Sequence, residues 1–359
     1  MKEIMKKNIL LLSMLFVAWA FNSCEKDSDG SPVVEPGTPV FESISPTAAA
    51  GGELVVVTGS GLGDMVAIIF ETDSVPAYLM PTLNTDKAIL FRVPTDAFGG
   101  EQDIIFINSI EKTMRVPFNV LAFPQVSSVS TYTFKEGTQI TLEGNNLNDV
   151  SSVVLTETGE AATIISQERK IMVIEMPATT AVRTTLDITN VTGEITTTQE
   201  FISITNSFIV YDDAYGPGAF NGGIQNWGWS CVVSETNKEF KTGTKSLKVE
   251  YSEGGGLSLF LGSDTWEDGH WFTDYYTAEY LVFYAKGDGK SAEITIRPDS
   301  PPWSDFATGE KTVSIPADEW TFFKIPLSDF VGGSGNFGRI NFQITGSGTV
   351  YYDDLLFVE

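Results

Sequence analysis

Chemistry in this chain is concentrated in its aromatic side chains. Six of the seven tryptophans, all but Trp19, fall between positions 227 and 320 of the 359 residues. Five of these sit in three short segments: "GGIQNWGWS" with Trp227 and Trp229, "DTWEDGHWFTDYY" with Trp266 and Trp271, and "PPWSDF" with Trp303. The middle segment also holds His270, Phe272, Tyr275 and Tyr276. An indole or phenol ring presents a negative π face, on which the C–H side of a sugar ring can stack. Such rings supply large contact area at low conformational-entropy cost. Several in a row, with amides, carboxylates or guanidinium groups nearby for the hydroxyls, suit a polysaccharide. Glycine- and proline-rich contexts are costly places to expose indoles without a purpose. If residues 227–229 are extended, Trp227 and Trp229 point to one face, which is either core or ligand face. Trp303 cannot lie in a central strand, because two prolines precede it. One of Tyr275 and Tyr276 belongs to a core. Arg297, ending "AEITIRP", is either a hydroxyl-binding group or a solvated charge on an edge strand. Gln225, Asn226 and Asp305 are weaker candidates for the same work.

Catalysis is harder to build from these residues. A glycosidase needs two carboxylates about 5–10 Å apart across the scissile bond. Glu267, Asp268 and Asp305 lie among the aromatics, yet no hydrolase motif accompanies them. Nucleophile schemes using serine or cysteine need a base, and His270 is the only histidine. It follows an Asp-Gly turn, the place of a surface or ligand-contacting residue. One histidine does not make a zinc site either. The chain reads as a non-enzyme with no catalytic cofactor.

The elements that must position the aromatics read as strands throughout. After about Asn206 come "SFIVYDD", "KSLKVEYS", "LSLFLG", "EYLVFYAKG", "AEITIRP", "KTVSIP", "WTFFKIPL", "INFQIT" and "TVYYDDLLFV", none with a helical period. So many strands in so short a span suit two facing sheets. Before them lies an internal repeat. Shifting the sequence by 85 aligns 43–70 with 128–155 without a gap: Ser43, Gly52, Gly59, Leu62 and Asp64 fall on Ser128, Gly137, Gly144, Leu147 and Asp149. Each copy is a set of short alternating runs separated by Gly, Pro and Asn turns, the pattern of a small all-β sandwich. Neither copy carries a histidine or a carboxylate cluster, so both read as spacers, with protein binding as the competing use.

Bulk properties narrow the partners. The formal net charge is −25 and the isoelectric point about 4.3. Nucleic-acid binding needs a basic face and is disfavoured. Neutral sugars fit an acidic surface; anionic polysaccharides fit poorly. At the N-terminus, Lys2, Lys6 and Lys7 precede an apolar run from Ile9 to Phe21 and then Cys24. Residues 1–23 read as a signal peptide, since a membrane span needs roughly 20 apolar residues. Residues 24–38 form a polar, Pro- and Gly-containing tether. The only other cysteine, Cys231, reads as a small buried apolar residue without a disulfide partner.

Several of these stretches resemble known families. "AFNSC" is similar to the lipobox of bacterial lipoproteins, which implies lipid on Cys24. The acidic "CEKDSDG" is similar to the surface-export signal of Bacteroidetes lipoproteins, which implies a lipid-anchored position on the outer membrane facing outward. The "GSGLGD" and "GNNLND" turns, after "SISP" and "SVST", resemble the IPT/TIG immunoglobulin-like family over 39–121 and 122–205. "YDDAYGPG", "FKTGTKSLKVEY", "LVFYAKGDG", "EWTFFKIPLSDF" and "GTVYYDDLLF" resemble the galactose-binding-like β-jelly-roll carbohydrate-binding modules over 206–359. In that class Trp320 packs the sandwich. The resemblance also implies a structural calcium, held by Asp212 or Asp213, by Asp353 or Asp354, and by carbonyls near Lys241 and Gly243. Calcium takes about 6–8 oxygens, and the alternative is plain surface carboxylates at strand ends. The whole arrangement resembles a surface glycan-binding protein of a Bacteroidetes polysaccharide utilisation locus. That implies a β-glucan or hemicellulose ligand, passed to an outer-membrane transporter and surface glycosidases of the same locus. A surface hydrolase or lyase with a jelly-roll domain, and a protein-binding adhesin, are the competing readings.

Overall fold

The computed structural model describes residues 35–219, 223–262, 277–299, 309–330 and 337–359. The described residues form strands and short 3-10 turns, as the alternating sequence predicts. They fall into two compact units, 35–122 and 123–359.

The first unit is a sandwich of two sheets. Val40–Ser45, Leu54–Ser60 and Ala88–Arg92 form one. Ala48–Ala50, Thr113–Leu121, Gly100–Asn108, Met65–Phe70 and Val75–Pro76 form the other, in that order. Alternate residues of Leu54–Ser60 are buried, so Val55 and Val57 enter the core while their neighbours face outward. Phe70, Phe91, Phe106 and Phe118 fill that core with edge-to-face ring pairs.

The second unit begins with the other copy of the repeat, and the likeness extends to its irregularities. In the first copy the ladder shifts between Met65 and Ala67; in the second it shifts between Val150 and Ser152, 85 positions on. Gly59 and Gly144 are equivalent for a steric reason. A Cβ on Gly59 would lie 2.1 Å from the Val40 carbonyl oxygen, and one on Gly144 would lie 1.7 Å from that of Gln125. No side chain fits at either point.

The rest of the second unit is a two-layered antiparallel jelly roll. Its organising strand, Ser246–Phe260, is 15 residues long and belongs to both layers. Residues 246–251 pair with Gly348–Val358 on one side and Trp229–Thr236 on the other. Residues 256–260 pair with Arg339–Ile344, which continues to Ala292–Asp299 and Lys311–Ile315. Tyr280–Gly287 and Thr321–Pro326 complete the first layer. Leu257, Leu259, Ile340, Phe342, Ile294 and Ile296 meet Leu247, Val249, Leu281, Phe283, Val350 and Tyr352 in one core. The first strand, Phe208–Asp212, pairs with the last, Gly348–Val358. Trp320 is half-buried with its ring 6.5 Å from that of Tyr351; Val350 and Tyr352 enter the sandwich core, and Trp320 is not among the core residues, where the resemblance places it.

The second copy packs directly against the jelly roll. Ile202 and Ile204 share an apolar cluster with Val282, Leu356 and Val358. Tyr132 stacks on Phe322 at 4.9 Å. Arg183 pairs with Glu279 at 2.8 Å, and Lys324 pairs with Glu200. Burying apolar side chains from both parties, with hydrogen bonds closed around them, ties the two modules into one body.

Candidate functional site

The layer containing residues 256–260, 339–344 and 292–299 has two unlike faces. Its inner residues are Leu, Ile and Phe. The register brings the outer residues into three rungs. Gly256 stands beside Gln343 and Thr295, Ser258 beside Asn341 and Arg297, and Phe260 beside Arg339 and Asp299. Strand periodicity places all nine on one side of the sheet.

Both tryptophans of "GGIQNWGWS" lie over this face. Trp227 donates its backbone N–H to the Ser258 carbonyl at 2.7 Å, and its ring stacks on Phe260 at 5.0 Å and 8°. Its indole N–H donates to Gln225 Oε1 at 3.0 Å. Trp229 pairs with Gly256, and its indole N–H donates to the Gly254 carbonyl at 3.3 Å. A Cβ on Gly256 would lie 2.3 Å from the Trp229 ring, so this glycine lets the indole lie against the backbone. Trp227 and Trp229 remain 42% and 38% exposed, so neither is a core residue.

The middle rung is polar and buried. Asn341 donates through Nδ2 to the Arg297 carbonyl at 3.2 Å and to Asp299 Oδ2 at 3.4 Å. Arg339 pairs with Asp299. Gln343 donates to the Gly254 carbonyl at 3.1 Å. Ser258 Oγ, Asn341 Oδ1 and Asp299 Oδ1 are buried with no hydrogen-bond partner among the described residues. A buried polar atom left unmatched costs about 1–3 kcal/mol. Three such atoms lie on this one face. Arg297 pairs with Asn341 on one side, and the ladder to Lys311–Ile315 ends one residue before it, at Ile296.

Trp266, His270, Trp271, Tyr275 and Trp303 lie outside the described residues, as does Cys24. Topology still fixes where their segments begin and end: Gly262 and Thr277 flank the first, Asp299 and Gly309 the second. Leu261 donates its N–H to the Gly338 carbonyl, and Gly338 donates to the Asp299 carbonyl, so two of these exits lie together at the Phe260–Arg339–Asp299 rung. Sequence reading did not single out Ser258, Phe260, Asp299, Arg339, Asn341 or Gln343. The available signal was the alternation of amide and guanidinium side chains in "RINFQI", where an ordinary outer face carries Ser, Thr and Lys. Cys231 is a half-buried free thiol beside the Gly256 carbonyl, and burial pushes its pKa up.

The acidic corner is a separate region. Asp353 accepts the N–H groups of Lys241 and Thr242 on one oxygen, at 2.7 and 3.2 Å, and that of Asp354 on the other. Asp354 accepts the hydroxyls of Thr242 and Thr133. Asp213 accepts the N–H groups of Thr244 and Lys245, beside Gly243. Asp212 pairs with Lys135 at 3.4 Å. Burial, and after it the neighbouring Asp354, pushes the Asp353 carboxyl up; burial likewise raises Asp354 against the hydroxyls that lower it. This donor set does not fit calcium. The 241–245 loop turns N–H groups, not the implied carbonyls, toward the carboxylates. Among the described residues, Asp212 Oδ1 and the neighbouring Tyr211 hydroxyl are the buried side-chain oxygens without a partner there, whereas calcium takes about 6–8 oxygens. Among the described residues no three His, Cys, Asp or Glu side chains converge as a metal cluster.

Residues 124–204 match the IPT/TIG domain family. No curated protein matches the sequence. Among solved structures, the surface glycan-binding protein PbSGBP-B from Prevotella bryantii aligns with a TM-score of 0.54 at 17% identity, over 90% of this chain and 99% of that one. SGBP-B from a complex xyloglucan utilization locus in Bacteroides uniformis aligns at 0.45 and 17%, over 90% and 99%. SGBP-B of the Bacteroides ovatus mixed-linkage glucan utilization locus, in complex with a mixed-linkage heptasaccharide, aligns at 0.33 and 14%, over 89% and 75%. The Prevotella likeness is one of fold; the other two are looser still.

Proposed function

We propose that this chain is a non-catalytic, cell-surface polysaccharide-binding protein, and that the outer face of the 256–260, 339–344 and 292–299 sheet receives the glycan. The observation that carries this reading is the placement of two exposed indoles on the same face as unmatched, buried hydrogen-bonding groups. Sugar rings stack their C–H faces on Trp227 and Trp229, while hydroxyls reach the half-exposed Gln343 and Arg297. Trp227 lies over Phe260 and Trp229 over Gly256, four residues apart along one strand. At about 3.3 Å per residue that separation is about 13 Å, which spans more than one sugar ring and favours a chain over a monosaccharide. The acidic charge favours a neutral chain, of the β-glucan or hemicellulose type. Asp299, the carboxylate within the rungs, is committed to Arg339 and Asn341, which supports binding without hydrolysis. The fold shared with the Prevotella glycan-binding protein supports the same reading.

Cys24 is the lipid attachment point in this proposal, holding the protein on the outer face of the outer membrane. No helix among the described residues is long and apolar enough to cross a membrane. The glycan passes from here to the transporter and glycosidases of the same locus, and many copies on one cell raise a modest affinity by avidity. Affinity electrophoresis against neutral β-glucans, hemicelluloses and an anionic polysaccharide tests the assignment. Trp227→Ala and Trp229→Ala should each weaken retardation by a neutral glycan about tenfold, a loss of about 1.4 kcal/mol. Unchanged retardation in both variants, or release of reducing sugar by the wild type, would refute it.

A further inference from the structure

The acidic corner where the first and last jelly-roll strands meet is built differently from the metal-closed corner that the sequence resemblance implies. Four carboxylates gather near it, those of Asp212, Asp213, Asp353 and Asp354. Asp353 and Asp354 are fully buried. Buried carboxylates need compensation by charge or by directed donors. Here the compensation comes from within the chain, and two of its sources belong to the second immunoglobulin-like module. Thr133, itself fully buried, donates its hydroxyl to Asp354. Lys135 brings its ammonium group to Asp212. Lys241 stands on the jelly-roll side with its ammonium 5.4 Å from the centre of the Tyr284 ring. The Tyr284 hydroxyl in turn accepts the Tyr132 N–H at 2.6 Å and pairs with the Thr131 hydroxyl at 3.0 Å. Two lysines thus bring to this corner the positive charge a divalent ion would bring, and a bound cation would have to stand beside both.

We propose that the second immunoglobulin-like module takes the place of the metal ion at this corner, so that the jelly roll closes on residues 131–135 and not around calcium. The module is then a folding partner of the binding domain. This inference stands whether or not the outer face binds glycan.

Scanning calorimetry of the full chain, with calcium chloride or with EDTA, tests it. The unfolding transition should coincide in the two solutions. Thr133→Val and Lys135→Met should each lower the transition, and added calcium should not restore it. Thr133→Val should have little further effect in an Asp354→Asn background, because the two groups act on each other. A purely internal role for Thr133 in its own module would leave the two losses additive, and would overturn the proposal. So would calcium raising the wild-type transition by about 5 °C or more, the size expected of a well-occupied site, with the rise absent in Asp353→Asn. That second measurement needs no destabilised variant.

Discussion

The two immunoglobulin-like modules share strands, bulges and forbidding glycines, yet one of them is welded to a neighbour through a segment the other does not have. Under the shift of 85, Pro46, Thr47, Ala48, Ala49 and Ala50 of the first copy correspond to Thr131, Tyr132, Thr133, Phe134 and Lys135 of the second. Ala49 and Phe134 are both core residues. The other positions diverge in kind. The second copy places two hydroxyls, a phenol ring and an ammonium where the first has a proline, a threonine and two alanines. Farther along, where the two copies align at a shift of 83, Asn119 and Leu121 of the first copy become Ile202 and Ile204, which enter the apolar cluster shared with the jelly roll. A sandwich skeleton therefore says little about whether a module is a spacer or a foundation. A handful of side chains on one end decides it.

Replacing residues 131–135 by Pro-Thr-Ala-Ala-Ala should have the largest effect. It strips donors from buried Asp354, and breaking a buried charge arrangement costs about 3–5 kcal/mol. Calorimetry should show the module and the jelly roll unfolding in separate transitions; a single unshifted transition would dissolve the contrast between the copies. Gly59→Ala and Gly144→Ala come next. Each forces a Cβ into a carbonyl oxygen, and overpacking of this kind costs about 2–3 kcal/mol. Urea denaturation should find the two losses similar, each confined to its own unit. Tyr284→Phe leaves the Thr131 hydroxyl and the Tyr132 N–H without their partner, and should cost about 1–2 kcal/mol with no counterpart in the first module. Lys324→Ala removes a half-exposed ion pair with Glu200, and should cost less than about 1 kcal/mol.

Some of this was readable in the sequence and some was not, for reasons that can be located. The repeat and the all-β architecture follow from local alternation and from turn residues, both of which act over a few positions. Trp227 and Trp229 announced themselves by residue type, because indoles among glycines have no ordinary explanation. Asn341 and Gln343 did not. In a strand, an outward amide leaves the same alternating trace whatever it meets. Only the register sets Ser258, Asn341 and Arg297 side by side. The weld between module and jelly roll was hidden by distance along the chain, since Thr133 and Asp354 are 221 residues apart. The acidic corner was hard to read for a related reason. Acidic pairs at strand ends look alike in sequence whether carbonyls or N–H groups turn toward them, and the 241–245 loop turned N–H groups.

The 15-residue strand Ser246–Phe260 has a mechanical meaning. Its last five residues lie under Trp227 and Trp229, and residues 247–251 are paired with residues 348–352, next to Asp353. A tug on anything held by the outer face runs lengthwise down one continuous backbone to the welded corner. Along that path the load meets interstrand hydrogen bonds broadside. They stretch together in shear instead of opening one after another. Whatever polymer that face grips, the tensile member is already in place.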